Sequence, residues 1–296
     1  MNAQAEPSHL YLGDEVRQDL ELPQGILCVR SRRSPDKETP NEDAAAVIPV
    51  GDGALVVAVA DGVGGAPSGR EAAKVAVETL RDALTSDGVA PERMRHTIID
   101  AVEAANKQIL EMGRGAATTI VIAEIVADRL RSYHVGDSEL ISVGQRGRVK
   151  QRIIPHSPTG FAVEAGLMNE DEAVKHDQRH VIFNVIGAPD MRVDMGAAVK
   201  IAVHDTVLLA SDGLLDNLFA DEIIDIIRAG PLNAAADRLM EVAGKRMAAG
   251  EGSSAPSKPD DLTVILYRSP SGKVSGRRRK PRRRPQVVGA ASAAIS

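Results

Sequence analysis

A chain of 296 residues, 43% of them hydrophobic, can bury one large core or two small ones. Aromatic residues make up only 2%, with no Trp, so the core has to be Val, Ile, Leu and Ala, and stacking of bases on aromatic platforms is disfavoured as an activity. The net charge of −5 conceals an asymmetry: residues 268–296 hold nine Lys or Arg and no acid, which leaves 27 bases against 41 acids in the preceding 267 residues, an acidic body that repels nucleic acid and anionic membranes.

Residues 1–22 are polar with weak periodicity and read as an extension that frays or adds an edge strand. The single cysteine, Cys28, has no disulfide partner and reads as a small buried hydrophobe suited to a reducing compartment. No apolar run approaches a bilayer span, and the N-terminus lacks the basic-then-apolar order of a signal peptide, so a soluble, cytoplasmic protein is expected. Residues 26–30 have strand character, followed by the charged loop SRRSPDKETP, then Asn41-Glu42-Asp43 and a second apolar stretch over 44–50.

Leu55 to Ala60 form a short, uncharged, β-branched run that reads as a strand covered on both faces. It ends abruptly on Asp61, followed by Gly62, Gly64 and Gly65. The spacing then predicts helices over 68–84 and from Pro91 through Ile109. From Gly115 the period becomes that of strands, over 118–126, 130–135 and 140–143 with a turn at Gly136-Asp137, a meander that argues against a parallel Rossmann-like sheet. The polar segment 156–186 reads as a functional excursion with a helix around 163–176. A further apolar strand over 206–210 ends on Ser211-Asp212-Gly213. Helices are predicted near 221–228 and 233–248, and Asp260-Asp261 open a last strand over 262–267. The body is taken as residues 23–268, and the basic run Arg277 to Arg284 lies in a low-complexity tail, 269–296, expected to be disordered and able to contact an acidic partner.

A single Asp-Gly pair is ordinarily turn chemistry. Three strand-end carboxylates, Asp61, Asp212 and Asp260, with the acidic pair Glu42-Asp43, ask for more, because acids gathered together repel unless cations neutralise them. Oxygen ligands without a supporting His or Cys cluster favour Mg²⁺ or Mn²⁺ over zinc, and the seven histidines are scattered, none paired at metal-ligand spacing. Competing motifs fail. A G-x-G-x-x-G frame begun at Gly62 reaches Pro67, no Walker lysine follows, and the place of an aspartyl nucleophile two residues before Asp61 is Val59. A metal-activated water is the better nucleophile.

Taken in order, NEDA (41–44), VADGVGG (59–65), ATT (117–119), HVGDS (134–138), ASDGLLD (210–216) and DDLT (260–263) resemble the metal-dependent PP2C-type (PPM) protein serine/threonine phosphatases. The segment 164–187 is similar to the flap of bacterial members. The resemblance implies an α+β fold, a four-layer αββα sandwich of two antiparallel sheets flanked by antiparallel helix pairs. It implies that Asp61 bridges two ions, that the Gly62 carbonyl binds the first, that Asp212 and Asp260 bind the second, and that Glu42 and Asp43 hold metal-bound waters. Asp137 and Asp216 match positions that bind a third ion. A water bridging two Mn²⁺ or Mg²⁺ ions would attack phosphoserine or phosphothreonine in line. The implied partners are phosphoproteins and a cognate Ser/Thr kinase, with the protein a monomer. The other reading is a catalytically silent metal-binding scaffold that binds a phosphoprotein or regulatory partner.

Two departures stand out. Val63 replaces the His that follows Asp-Gly in animal members as a proposed general acid. Glu38 occupies the usual place of the phosphate-binding arginine, so the expected anchor shifts to Arg33, with Lys37 as substitute.

Overall fold

The structure, a computed structural model, describes residues 7–269 apart from 36, 52, 64–67, 87–88, 114 and 251–254. The basic tail predicted to be disordered lies outside the described residues. The chain begins with β1 (His9–Tyr11), β2 (Glu15–Leu22), β3 (Gly25–Arg32), β4 (Ala44–Val50), β5 (Ala54–Ala60) and β6 (Gly62–Val63), then the helices α1 (Ser68–Thr85) and α2 (Met94–Met112). Strands β7 (Ala117–Thr118), β8 (Ile120–Val126), β9 (Arg129–Val135), β10 (Glu139–Val143) and β11 (Val149–Arg152) lead to short helices α3 (Pro158–Glu164) and α4 (Glu170–Ala173). The remainder is β12 (Asp194–Met195), β13 (Val199–Lys200), β14 (Thr206–Ala210), α5 (Asp212–Leu215), α6 (Ala220–Ile227), α7 (Leu232–Ala249) and β15 (Leu262–Arg268).

One sheet runs β1-β4-β5-β8-β9-β12, with β13 also on β9, and the other runs β11-β10-β14-β15-β3-β2; the pairings in both are antiparallel. Side-chain alternation explains the layers. In β5, Leu55, Val57 and Val59 join Leu27, Val29, Leu209 and Ile265 between the sheets, while Val56, Ala58 and Ala60 face Ala73, Val77 and Leu80 of α1. The far side of the second sheet packs Ile141, Leu208, Val264 and Leu266 against Leu214, Ile223 and Leu239 of α5, α6 and α7. Both sheets are covered twice, which is why their central strands are uniformly apolar instead of alternating. The result is the expected α+β sandwich in four layers.

Residues 9–22 supply an edge strand to each sheet, β1 on β4 and β2 on β3, with Val16, Leu20 and Leu22 packed on the core between the sheets. The helix expected around 163–176 does not form: α3 spans Pro158–Glu164, mostly ahead of it, and only the short α4, Glu170–Ala173, falls inside. Gly166, at φ +69°, closes α3, and Asn169 starts α4 with a capping box in which it accepts from the Glu172 N–H and Glu172 accepts from its own.

Candidate active site

Asp61 follows β5 and is held by its neighbours' backbone and hydroxyl groups. Thr119 N–H and Thr118 Oγ1 donate to the Asp61 carbonyl at 2.9 and 2.8 Å, and the Asp61 N–H donates to Thr119 Oγ1 at 3.3 Å. Ser138 braces Thr119, their hydroxyls 2.7 Å apart. The ATT and HVGDS motifs therefore aim the first carboxylate. Gly62 has no alternative: a Cβ there would overlap the backbone of Gly69 in the first turn of α1.

A second network joins the remaining motifs. Asp43 Oδ2 accepts from Ser211 Oγ at 2.8 Å, and Ser211 Oγ accepts from the Thr263 N–H at 2.9 Å. The Thr263 hydroxyl lies 2.7 Å from Ser31 Oγ, which accepts from Asn41 Nδ2 at 2.8 Å; Asn41 Oδ1 in turn takes the Asp43 N–H at 2.9 Å. Asp261 is buried and accepts from the N–H groups of Ser34 and Glu42 at 2.7 and 2.8 Å, and from Lys37 Nζ at 2.6 Å. Lys37 also donates to Glu42 Oε2 at 2.8 Å. The NED loop, the start of α5 and the start of β15 are thus one hydrogen-bonded unit.

The assembled carboxylates carry more negative charge than the protein offsets. Burial, followed by the charges of Asp43, Asp212, Asp260 and Asp137, holds Asp61 well above the usual carboxylate range. Asp137 is raised in the same way, first by burial and then by Asp212 and Asp216. Asp43 is pushed up to about 8, Asp216 to about 7 and Asp260 to about 6, with burial the largest cause each time. Among the described residues, Glu42 Oε1, Asp43 Oδ1, Asp137 Oδ1 and Asp212 Oδ1 are buried without a hydrogen-bond donor. Buried anionic oxygens lacking donors fit a bound cation, and the all-oxygen set fits a hard one such as Mg²⁺ or Mn²⁺.

Every carboxylate singled out in the sequence reaches this cluster, but the two expected phosphate anchors separate. Arg33 is 41% exposed and points to Asp14, 4.0 Å away, whereas Lys37 lies among the carboxylates. Lys258, absent from the sequence-based candidates, donates to Asp216 and Asp212 at 2.6 and 2.8 Å and forms an ion pair with Asp260 at 3.0 Å. Only its place two residues before Asp260 could have signalled it. Beside the cluster, a cavity of about 200 Å³ is lined by Asp137, Arg152, Ser157, Val163, Arg179 and Asp216, so the segment 158–179 forms one wall of the approach to the acids.

The histidines are less scattered than their spacing suggested. His134 and His156 stack with ring centres 4.4 Å apart, and His156 Nε2 lies 3.2 Å from Asp194 Oδ2. Metal ligation by that trio is chemically disfavoured, because His156 Nδ1 accepts the Gly136 N–H at 3.1 Å, which leaves the proton of the neutral ring on Nε2. His156 instead positions the turn that presents Asp137.

A family model described as protein phosphatase 2C matches residues 31–249, most of the chain. The chain belongs to the protein phosphatase 2C family. The serine/threonine phosphatase stp of Listeria welshimeri is 29% identical to this phosphatase over 198 residues, 64% of this chain and 78% of the relative. The structure of the S. agalactiae serine/threonine phosphatase superposes with a TM-score of 0.70 at 26% identity, covering 82% of this chain and 99% of that one. The catalytic domain of the serine/threonine protein phosphatase PstP, in complex with two manganese ions, shares the fold at 22% identity, with a TM-score of 0.62 over 82% and 96% of the two chains.

Proposed function

We propose that this member of the family is a Mn²⁺- or Mg²⁺-dependent protein serine/threonine phosphatase. The observation that carries the reading is the mutually repelling set of Asp61, Asp212 and Asp260, half-buried at adjoining strand ends beside the buried donor-free oxygens of Glu42, Asp43, Asp137 and Asp212. Asp61, the Gly62 carbonyl, Asp212 and Asp260 would hold two ions. When bound, these supply the chemistry the side chains lack, lowering the pKa of water to make a nucleophile and neutralising a phosphoryl group.

The protein's own groups do the rest. Glu42 and Asp43 keep one oxygen each free of donors, Oε1 and Oδ1, and so orient water and take up its protons. Threonine hydroxyls fix the Asp61 backbone and Ser211 the Asp43 carboxylate, so little reorganisation accompanies the reaction. Lys37 is the cation of its loop that reaches the carboxylates, and we assign it the attraction of the phosphate dianion in preference to Arg33. The cavity beside Asp137 and Asp216 is the place for the chain that carries the phosphate. A kinase acting on the same phosphoproteins is the implied partner, and a reducing, cytoplasmic setting suits the buried thiol Cys28. Among the described residues no helix is long and apolar enough to cross a membrane.

Hydrolysis of p-nitrophenyl phosphate and of a phosphothreonine peptide, measured with Mn²⁺ and in excess EDTA, tests the proposal. Turnover is expected only with the ion, and Asp61→Asn should reduce it by at least about 100-fold, as loss of a main electrostatic contributor does. Undiminished activity in EDTA rejects the metal reading. Ion binding without turnover on either substrate leaves the silent scaffold instead.

A further inference from the structure

By resemblance, Asp137 and Asp216 occupy positions that hold a third ion, yet the structure gives that place a different occupant. The Lys258 ammonium donates to Asp216 and Asp212 at 2.6 and 2.8 Å and lies 3.0 Å from the Asp260 carboxylate, so it pairs with three acids at once. Its placement is built from the backbone outward. Buried Asn217 accepts the Lys258 N–H at 2.9 Å and donates to the Lys258 carbonyl at 2.8 Å, while the same amide nitrogen reaches the Gly213 carbonyl in α5. The loop is therefore clamped to the helix that carries Asp212 and Asp216. The other oxygen of Asp216 faces a second cation, Arg179 Nε, at 3.9 Å. Both Asp216 oxygens are engaged by side-chain cations.

From this geometry we propose that Lys258 replaces the third cation, so that the site takes two divalent ions and not three. The inference rests on the ion-centre reading given above. An ion ligated by Asp137 and Asp216 would have to displace a cation from Asp216, because Lys258 faces one of its oxygens and Arg179 the other, and a divalent ion set between them would be strongly repelled. A tethered lysine is present at fixed occupancy whatever the metal supply. The donor-free oxygen of Asp212, Oδ1, stays available to a core ion while Oδ2 holds the lysine.

Manganese uptake by the full chain, followed by equilibrium dialysis with elemental analysis, reads this directly and without an activity assay. Wild type should saturate at two ions, and Lys258→Arg, which keeps the charge, should do the same. Lys258→Met should gain a third ion bound at least tenfold more tightly than any third ion in wild type, and Lys258→Met with Asp216→Asn should lose it again. The inference is overturned if wild type takes up a third ion that Asp216→Asn abolishes, or if Lys258→Met with an unchanged circular dichroism spectrum still binds two. Should Lys258→Met fail to fold, the wild-type and Lys258→Arg counts decide: two supports the inference and three overturns it. No uptake by any form removes the ion-centre reading itself, and this inference with it.

Discussion

Asp260 and Asp261 show how much one position along a chain can matter. They are adjacent, yet Asp260 faces Asp212 and Lys258, while Asp261 turns away to gather two backbone N–H groups and Lys37. The acidic pair is plain in the sequence. Which member does which task is not, because successive side chains at a strand start point to opposite sides and only the partner loop shows which side holds the acids. Asp261→Ala would leave two buried N–H donors without their acceptor and the Lys37 ammonium with Glu42 as its remaining carboxylate partner. The expected loss is about 3 kcal/mol of stability, the scale for breaking a buried pair by removing one partner, read as a lower urea midpoint. A midpoint unchanged from wild type would show that Asp261 positions nothing.

Among the elements, the short helix α5 depends on close approach. A Cβ at Gly213 would overlap the Asp261 carbonyl, so the helix start and the β15 start touch backbone to backbone. That contact puts Asp212 beside Asp260. Gly213→Ala should force the two apart, at a cost of roughly 1–3 kcal/mol by the measure of overpacked cores, and should weaken Mn²⁺ binding as well. Calorimetric titration with Mn²⁺ checks it; wild-type affinity in a destabilised variant would separate the packing role from the site. The helices and strands with strong periodicity fall where the sequence places them. The exception is the 163–176 segment, where Gly166 and the Asn169 capping box interrupt the expected helix and leave only α4 inside it, a local signal outweighed by the apparent continuity of polar residues.

For the whole molecule, the four layers create an electrostatic tension. Sheets covered on both faces bury the strand ends, and Asp43, Asp61, Asp137, Asp216 and Asp260 there are raised above the value of an ordinary Asp, about 3.9. Without ions, Asp260 titrates near about 6, Asp216 about 7 and Asp43 about 8. Between the unfolded value and these, the folded state holds more protons than the unfolded one, so stability falls as pH rises through that window and levels off above it. In EDTA the protein should therefore melt at a lower temperature at the upper end of this range than at the lower end. Mn²⁺ at 100 times its Kd should add about 2.7 kcal/mol and remove most of the dependence. A melting temperature that climbs with pH in EDTA would contradict the charge picture.

The expected meander breaks at β10, which pairs with β11 and β14 in the other sheet and not with β9, but the sequence read alone determined the covered strands, the main helices, the β8-β9 pair and the carboxylate set. These follow from local periodicity and from motifs whose residue types and order survive in one dimension. It also exposed the missing arginine, through Glu38, and offered Arg33, with Lys37 as substitute, without being able to choose between them by position. Tertiary structure decided the rest. It placed Lys37 instead of Arg33 at the acids, because the loop folds back onto Asp261, and it brought Lys258 into a cluster whose other members lie on separate strands and helices. It paired His134 with His156 across the sandwich and fixed the proton on His156 through a backbone N–H of Gly136. The physical reason is common to all of these. A charge's role depends on which other charges lie within a few ångströms, and those distances come from long-range packing that spacing along the chain does not encode.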